Sequence, residues 1–173
     1  MARFWKDEYE VAMEQAYAEA QNGGTVELDN FDRVHARKAI RFMLSKAQER
    51  VVLLCHRLAT DVYGSREMID ALKNALRRNA KINVYVRDNL ADLSLFNDVL
   101  AMNGVEICTG MDVYPEVAAI GDFLLVDPEA TKTPCMLRQE RDPAQRSGRL
   151  FFGDKQECIN VLTKIAKFKS CIS

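Results

Sequence analysis

The sequence has little of what usually announces a chemistry or a compartment. Two histidines, His35 and His56, are its entire imidazole supply. It contains no Walker loop, no Gly-x-Gly-x-x-Gly turn, no Gly-x-Ser-x-Gly elbow and no His-Glu-x-x-His pair, which removes the commonest nucleotide-binding, hydrolase and metalloprotease designs. The five cysteines (Cys55, Cys108, Cys135, Cys158, Cys171) are odd in number, widely spaced and without a Cys-x-x-Cys pair. Neither a disulfide framework nor a zinc cage follows, and the expectation is reduced thiols and no metal or other cofactor. Cys171 stands third from the end where prenylation needs the fourth. The longest apolar run, Val51 to Cys55, falls far short of the ~20 residues that span a bilayer. The acidic N-terminus does not suit a signal peptide, so a cytoplasmic protein with no membrane partner is expected.

What is present is a core-forming composition: 173 residues, 48% apolar and 28% charged, with a net charge of −1. That is enough chain for one domain with a well-buried interior. The near-neutral total hides an asymmetry. Residues 1–32 set two cations against eight carboxylates, whereas residues 33–57 carry seven cations and one acid.

Apolar residues at three- and four-residue spacing (Trp5, Tyr9, Met13, Ala16, Ala20) predict an amphipathic helix over about 4–21, ending at Asn22-Gly23-Gly24. Residues 1–24 are thus expected to pack as a helix on an α/β domain covering 25–173. A short strand over 25–28 precedes a helix capped by Asp32 and running to Gln48, with Ala39, Ile40, Met43 and Leu44 inward and Arg33, Arg37 and Arg41 outward. Val51 to His56 lacks alternation and suits a strand covered on both faces. A helix capped by Ser65, a strand over 82–86, a helix over 93–103 and a strand over 105–108 follow, an alternation that makes parallel α/β structure. Strands near 121–126, 135–138 and 149–152 come without helices between them and are expected to be antiparallel. A capping box, Asp154-x-x-Glu157, opens the last helix, which runs to about Lys169. The fold class is therefore α/β, a mixed sheet flanked by helices.

Ligands of open α/β sheets gather at the carboxyl ends of strands. His56 with Arg57, Arg87 with Asp88, and Asp127 are candidates for such a cluster; the alternative is that polar residues simply begin where strands stop. His35, in the first turn of its helix, is expected to be solvated.

The order of strands and helices from Val51 onward, the segment Ile120-Gly-Asp-Phe-Leu-Leu-Val-Asp127 and the closing Leu150-Phe-Phe-Gly-Asp154 resemble one half of a phospholipase-D-like domain, over roughly residues 25–169. Active members carry His-x-Lys, four residues, then Asp, in which the histidine attacks phosphorus and the lysine neutralises phosphate oxygens. Aligned on Asp127, this chain has Ile120 for the histidine and Asp122 for the lysine. An alkyl group has no lone pair, and a carboxylate repels the substrate. The resemblance therefore implies the scaffold without its hydrolytic mechanism, in a chain that supplies one half and needs a second copy to complete a homodimer. It also implies a regulatory or inhibitory module, in the setting of mobile elements, conjugation or secretion, that binds a protein or nucleic-acid partner. The Arg33, Arg37, Arg41 stripe is the candidate anion-binding surface, with a solvated helix face, or one neutralised by the acidic first helix, as the alternative. A second possibility is a phosphodiesterase or nuclease built on other residues, with His56 as nucleophile or base and Arg87 or Arg57 as phosphate clamp.

Overall fold

The computed structural model describes residues 7–30, 32–56, 58, 60–88, 94–111, 121–129, 133–139 and 148–172. Seven strands, β1 (Val26–Asn30), β2 (Arg50–Cys55), β3 (Lys81–Val86), β4 (Val105–Cys108), β5 (Phe123–Val126), β6 (Cys135–Gln139) and β7 (Gly148–Phe152), form one sheet in the order β1-β7-β6-β5-β2-β3-β4. The strands β2, β3 and β4 pair in parallel; every other pairing is antiparallel. The switch from one mode to the other occurs at β2, which takes β3 on one side and β5 on the other.

Alternate residues of β2 divide between two cores. Val51, Leu53 and Cys55 face helices α1 (Glu8–Gln21), α2 (Arg33–Lys46) and α4 (Arg66–Arg77), with the short α5 (Asn97–Leu100) at the β4 side. Val52 and Leu54 face the C-terminal helix, labelled α6 here (Lys155–Ile172), through Cys158, Val161 and Ile165. Burial on both faces is why β2 has no polar alternation, and each such Leu or Val contributes about 2 kcal/mol by leaving water. Helix α1 packs on this body through Met13, Ala16 and Ala20. The turn from β7 into α6 comes so close to the α1–β1 connection that only glycine fits at Gly153. Its φ is +79°, and a Cβ there would lie 2.4 Å from the Gly24 carbonyl oxygen.

The expected elements are present with shifted limits. Asp7 caps α1 in a reciprocal pair with Glu10, while Trp5 lies outside the described residues. The strand expected over 25–28 is β1, extended to Asn30 because it pairs along its length with β7. Asp32 caps α2, its carboxylate accepting from the His35 N–H at 2.7 Å, a bond that holds its carboxyl below the ordinary range. The expected 93–103 helix is shorter, a 3₁₀ turn over Ser94–Phe96 followed by α5. A four-residue helix, α3 (Thr60–Tyr63), was not anticipated.

Candidate functional site

Parallel pairing brings the carboxyl ends of β2 and β3 to one edge of the sheet. There the Arg87 N–H donates to the Cys55 carbonyl at 3.0 Å and the Asp88 N–H to the His56 carbonyl at 3.2 Å, so the expected neighbours do meet along the backbone. Strand β5 runs the other way, with Phe123 opposite Leu54, and therefore delivers its first residues to the same edge. Asp122 arrives beside Arg87, Oδ1 lying 3.3 Å from Nη2. The arginine side chain is 3% exposed and that of Asp122 is 33% exposed, so a buried cation is paired with a carboxylate that keeps contact with solvent. Neither Nε nor Nη2 of Arg87 makes a hydrogen bond among the described residues.

The carboxylate of Asp122 is felt by its neighbours. Burial first, and Asp122 second, push the Cys55 thiol up to about 12. The Tyr63 phenol is likewise raised well above its usual value by burial, then by Cys55 and Asp122. Both groups stay protonated and uncharged at neutral pH, so neither serves as an anionic nucleophile.

Asp127 does not join this group. It was expected at the strand ends with His56 and Arg87, but β5 is antiparallel to β2 and its carboxyl end lies at the opposite edge, beside the start of β2. Its carboxylate accepts from the backbone N–H groups of Gln48 (3.0 Å), Glu49 (2.8 Å) and Arg50 (2.9 Å), and its own N–H donates to the Arg50 carbonyl at 2.7 Å. The residue adopts φ +50°, a conformation that Asp tolerates. These bonds also explain why α2 stops at Lys46 rather than at Gln48: the next N–H groups belong to Asp127. The Asp127 carboxylate is structural here, tying the start of β2 to the end of β5.

His56 is exposed at the end of β2, neither turned under α1 nor buried. Arg57 and Ile120 lie outside the described residues. On α2, Arg33 and Arg41 are exposed and Arg37 is half-buried; Arg33 and Arg37 each have an interaction partner. The acidic first helix does reach this helix, since Asp7 pairs with Lys38. His35 is not solvated as expected: it is half-buried, its ring stacked on Tyr9 with centroids 4.2 Å apart.

The sequence reading missed a polar row crossing the parallel strands. Arg50 Nε donates to Asn83 Oδ1 at 3.0 Å, and Asn83 Nδ2 donates to Glu106 Oε2 at 2.9 Å. The signal was the asparagine itself, a polar residue inside the apolar strand Ile82 to Val86. No group of three metal-ligating side chains occurs among the described residues. A cavity of about 10 Å³ lies in the apolar core between Leu44, Leu53, Val84 and Phe96, room for at most one water and lacking the polar partners that would hold it. No helix of the described chain is long and apolar enough to cross a membrane.

No protein-family model matches this sequence, and no curated protein matches it. Among solved structures the fold is similar to that of TrmBL2, an archaeal chromatin protein with a novel mode of DNA binding. The TM-score is 0.60 at 12% identity, over 92% of this chain and 61% of that one. It is also similar to a polyphosphate kinase from Porphyromonas gingivalis, with a TM-score of 0.57 at 16% identity, over 90% of this chain and 26% of that one. The chain thus spans less than two thirds of either protein, and the likeness is one of fold. At 12% and 16% identity these likenesses show a shared mixed α/β fold, and they confirm neither the family nor the motif read from the segment 120–127.

Proposed function

We propose that this chain is a phospholipase-D-like module without phosphodiesterase activity, which acts as a homodimer by binding a nucleic-acid partner. The observation that carries the reading is the Arg87–Asp122 pair: aligned on the resemblance, the position of the family's lysine holds an acid, and that acid is paired with a buried arginine. A carboxylate there opposes a phosphodiester by charge, and the thiol and phenol beside it are held protonated. Each missing acid–base or electrostatic contribution commonly removes ~10²–10⁴ in rate. Support for a polyanionic partner comes from Arg33 and Arg41, exposed on a helix that starts from the same sheet edge, and from the DNA binding of the fold neighbour TrmBL2. Partner binding is then regulatory, and the mobile-element setting implied by the resemblance is one place for it.

The purified chain is expected to leave bis(p-nitrophenyl) phosphate and DNA uncut, with or without divalent metal. It should bind single- or double-stranded DNA with an affinity that falls steeply with salt and is lost in an Arg37→Glu, Arg41→Glu double variant. Sedimentation should give twice the 19.6 kDa chain mass. One observation favours the enzyme reading: His56 and Arg87 do reach the same edge. Turnover that disappears in His56→Ala would establish it, and a protein partner would take the place of DNA if the parent binds none at low salt.

A further inference from the structure

Arg87 is buried more deeply than its bonding warrants. The Nε and Nη2 atoms form the edge of a guanidinium that grips two oxygens of one oxyanion at once. In this chain both atoms are buried without a hydrogen-bond acceptor, and the contact with Asp122 is a single 3.3 Å approach to one of them. A carboxylate placed to satisfy the fork would reach both. Asp122 instead approaches only to 3.3 Å of Nη2, hydrogen-bonds neither atom, and keeps one third of its side chain in solvent.

We infer that Arg87 holds a phosphate group of a ligand on its Nε–Nη2 edge, and that Asp122 is the internal acid which this phosphate displaces. The group is a terminal phosphate monoester. At 3% exposure the arginine is out of reach of a diester flanked by nucleosides on both sides, whereas a monoester presents its oxygens at the tip of a chain. Its near-double negative charge competes with a singly charged carboxylate for one cation. The inference deepens the binding reading in one respect, that the phosphate is held and not hydrolysed; its test measures phosphate binding and is independent of the hydrolysis and DNA assays.

The test is titration calorimetry of the full chain with inorganic phosphate in low-salt, sulfate-free buffer, followed by competition with a nucleoside monophosphate and with a dinucleoside having only an internal diester. Removing the competing charge in Asp122→Asn should tighten phosphate at least 10-fold. Arg87→Lys, which keeps the charge but cannot offer two parallel donors, should weaken it at least 10-fold. Lys81→Gln, exposed at the opposite end of β3, should change nothing. The monophosphate should displace inorganic phosphate and the diester should not. Unchanged affinity in Asp122→Asn, or tightened binding that survives addition of Arg87→Lys, overturns the site; equal competition by the diester overturns the monoester. Should Arg87→Lys fail to fold by circular dichroism, the Asp122→Asn comparison decides alone.

Discussion

Two aspartates five residues apart bracket β5 and meet opposite circumstances. Asp127 receives three backbone N–H groups, so both of its carboxylate oxygens are engaged. Asp122 faces a buried arginine with two unmatched nitrogen atoms. One end of the strand is saturated and the other is not, although both residues belong to the same short motif-like segment. The contrast teaches that two acids of the same residue type, at the two ends of one strand, take different roles according to the sheet edge they reach: Asp127 holds a structural bond set, whereas Asp122 faces a buried cation.

The largest effect should come from breaking the saturated end. Asp127→Ala strands three N–H groups of the α2–β2 connection and places alanine at positive φ, at a cost of about 3 kcal/mol. Asp127→Asn, with one acceptor oxygen and tolerance of that φ, should lose roughly half as much, which is ~1–2 kcal/mol on the same scale. Urea denaturation with an unchanged slope checks both. Equal losses would mean that the carboxylate charge, not the number of acceptors, matters.

A smaller loss is expected at the unsaturated end. Asp122→Ala leaves Arg87 without its counter-charge. Against the ~3–5 kcal/mol typical of a fully buried pair, the one-third exposure of Asp122 reduces the expected loss to about 2 kcal/mol. Adding Arg87→Met should restore most of it, because the buried charge is then gone as well. A double variant less stable than the single would show that Arg87 has bonding not accounted for by Asp122.

Alkali should weaken the fold by a lesser amount. The Cys55 and Cys158 thiols are held at about 12 by burial, against an ordinary value of 9.0. The unfolded chain therefore loses these protons first. The stabilisation is whole below pH 9 and is lost as pH rises towards 12. Denaturation midpoints that stay level between pH 9 and 11 would contradict this. The smallest effect sharpens the comparison at a single atom: Asp122→Asn should lower the thiolate titration of Cys55 modestly, since the carboxylate is the lesser of its two causes. Thiolate absorbance reads the change, and Cys158, which owes nothing to Asp122, serves as the internal reference.

Much of the architecture was legible because it rests on local pattern. The unbroken apolar stretch Val51 to Cys55 does lie between two cores, and helix caps at Asp32 and Ser65 form the bonds their residue types predict. The edge of the sheet to which a residue is delivered was not legible from spacing alone. The motif alignment located Asp127 in the chain, but the direction of β5 decides its surroundings, and that direction depends on pairing with a strand some 70 residues earlier. The Arg87–Asp122 meeting is of the same kind, a contact between separate strands with no periodicity to betray it. His35 fell to a related blind spot, since its neighbour Tyr9 comes from another helix.

The strand order also sets a timetable. β1 lies at the margin of the sheet, and its partner is β7, with Glu27 bonded to Arg149 across 122 residues of chain. During synthesis β1 is made early and must wait, its edge unpaired, until residue 148 has left the ribosome. Closing so long a loop is slow, and a waiting strand edge is open to wrong partners. The charges on β1, Glu27 and Asp29, stand on an edge that has to remain solitary during that interval, where they discourage premature pairing with another chain.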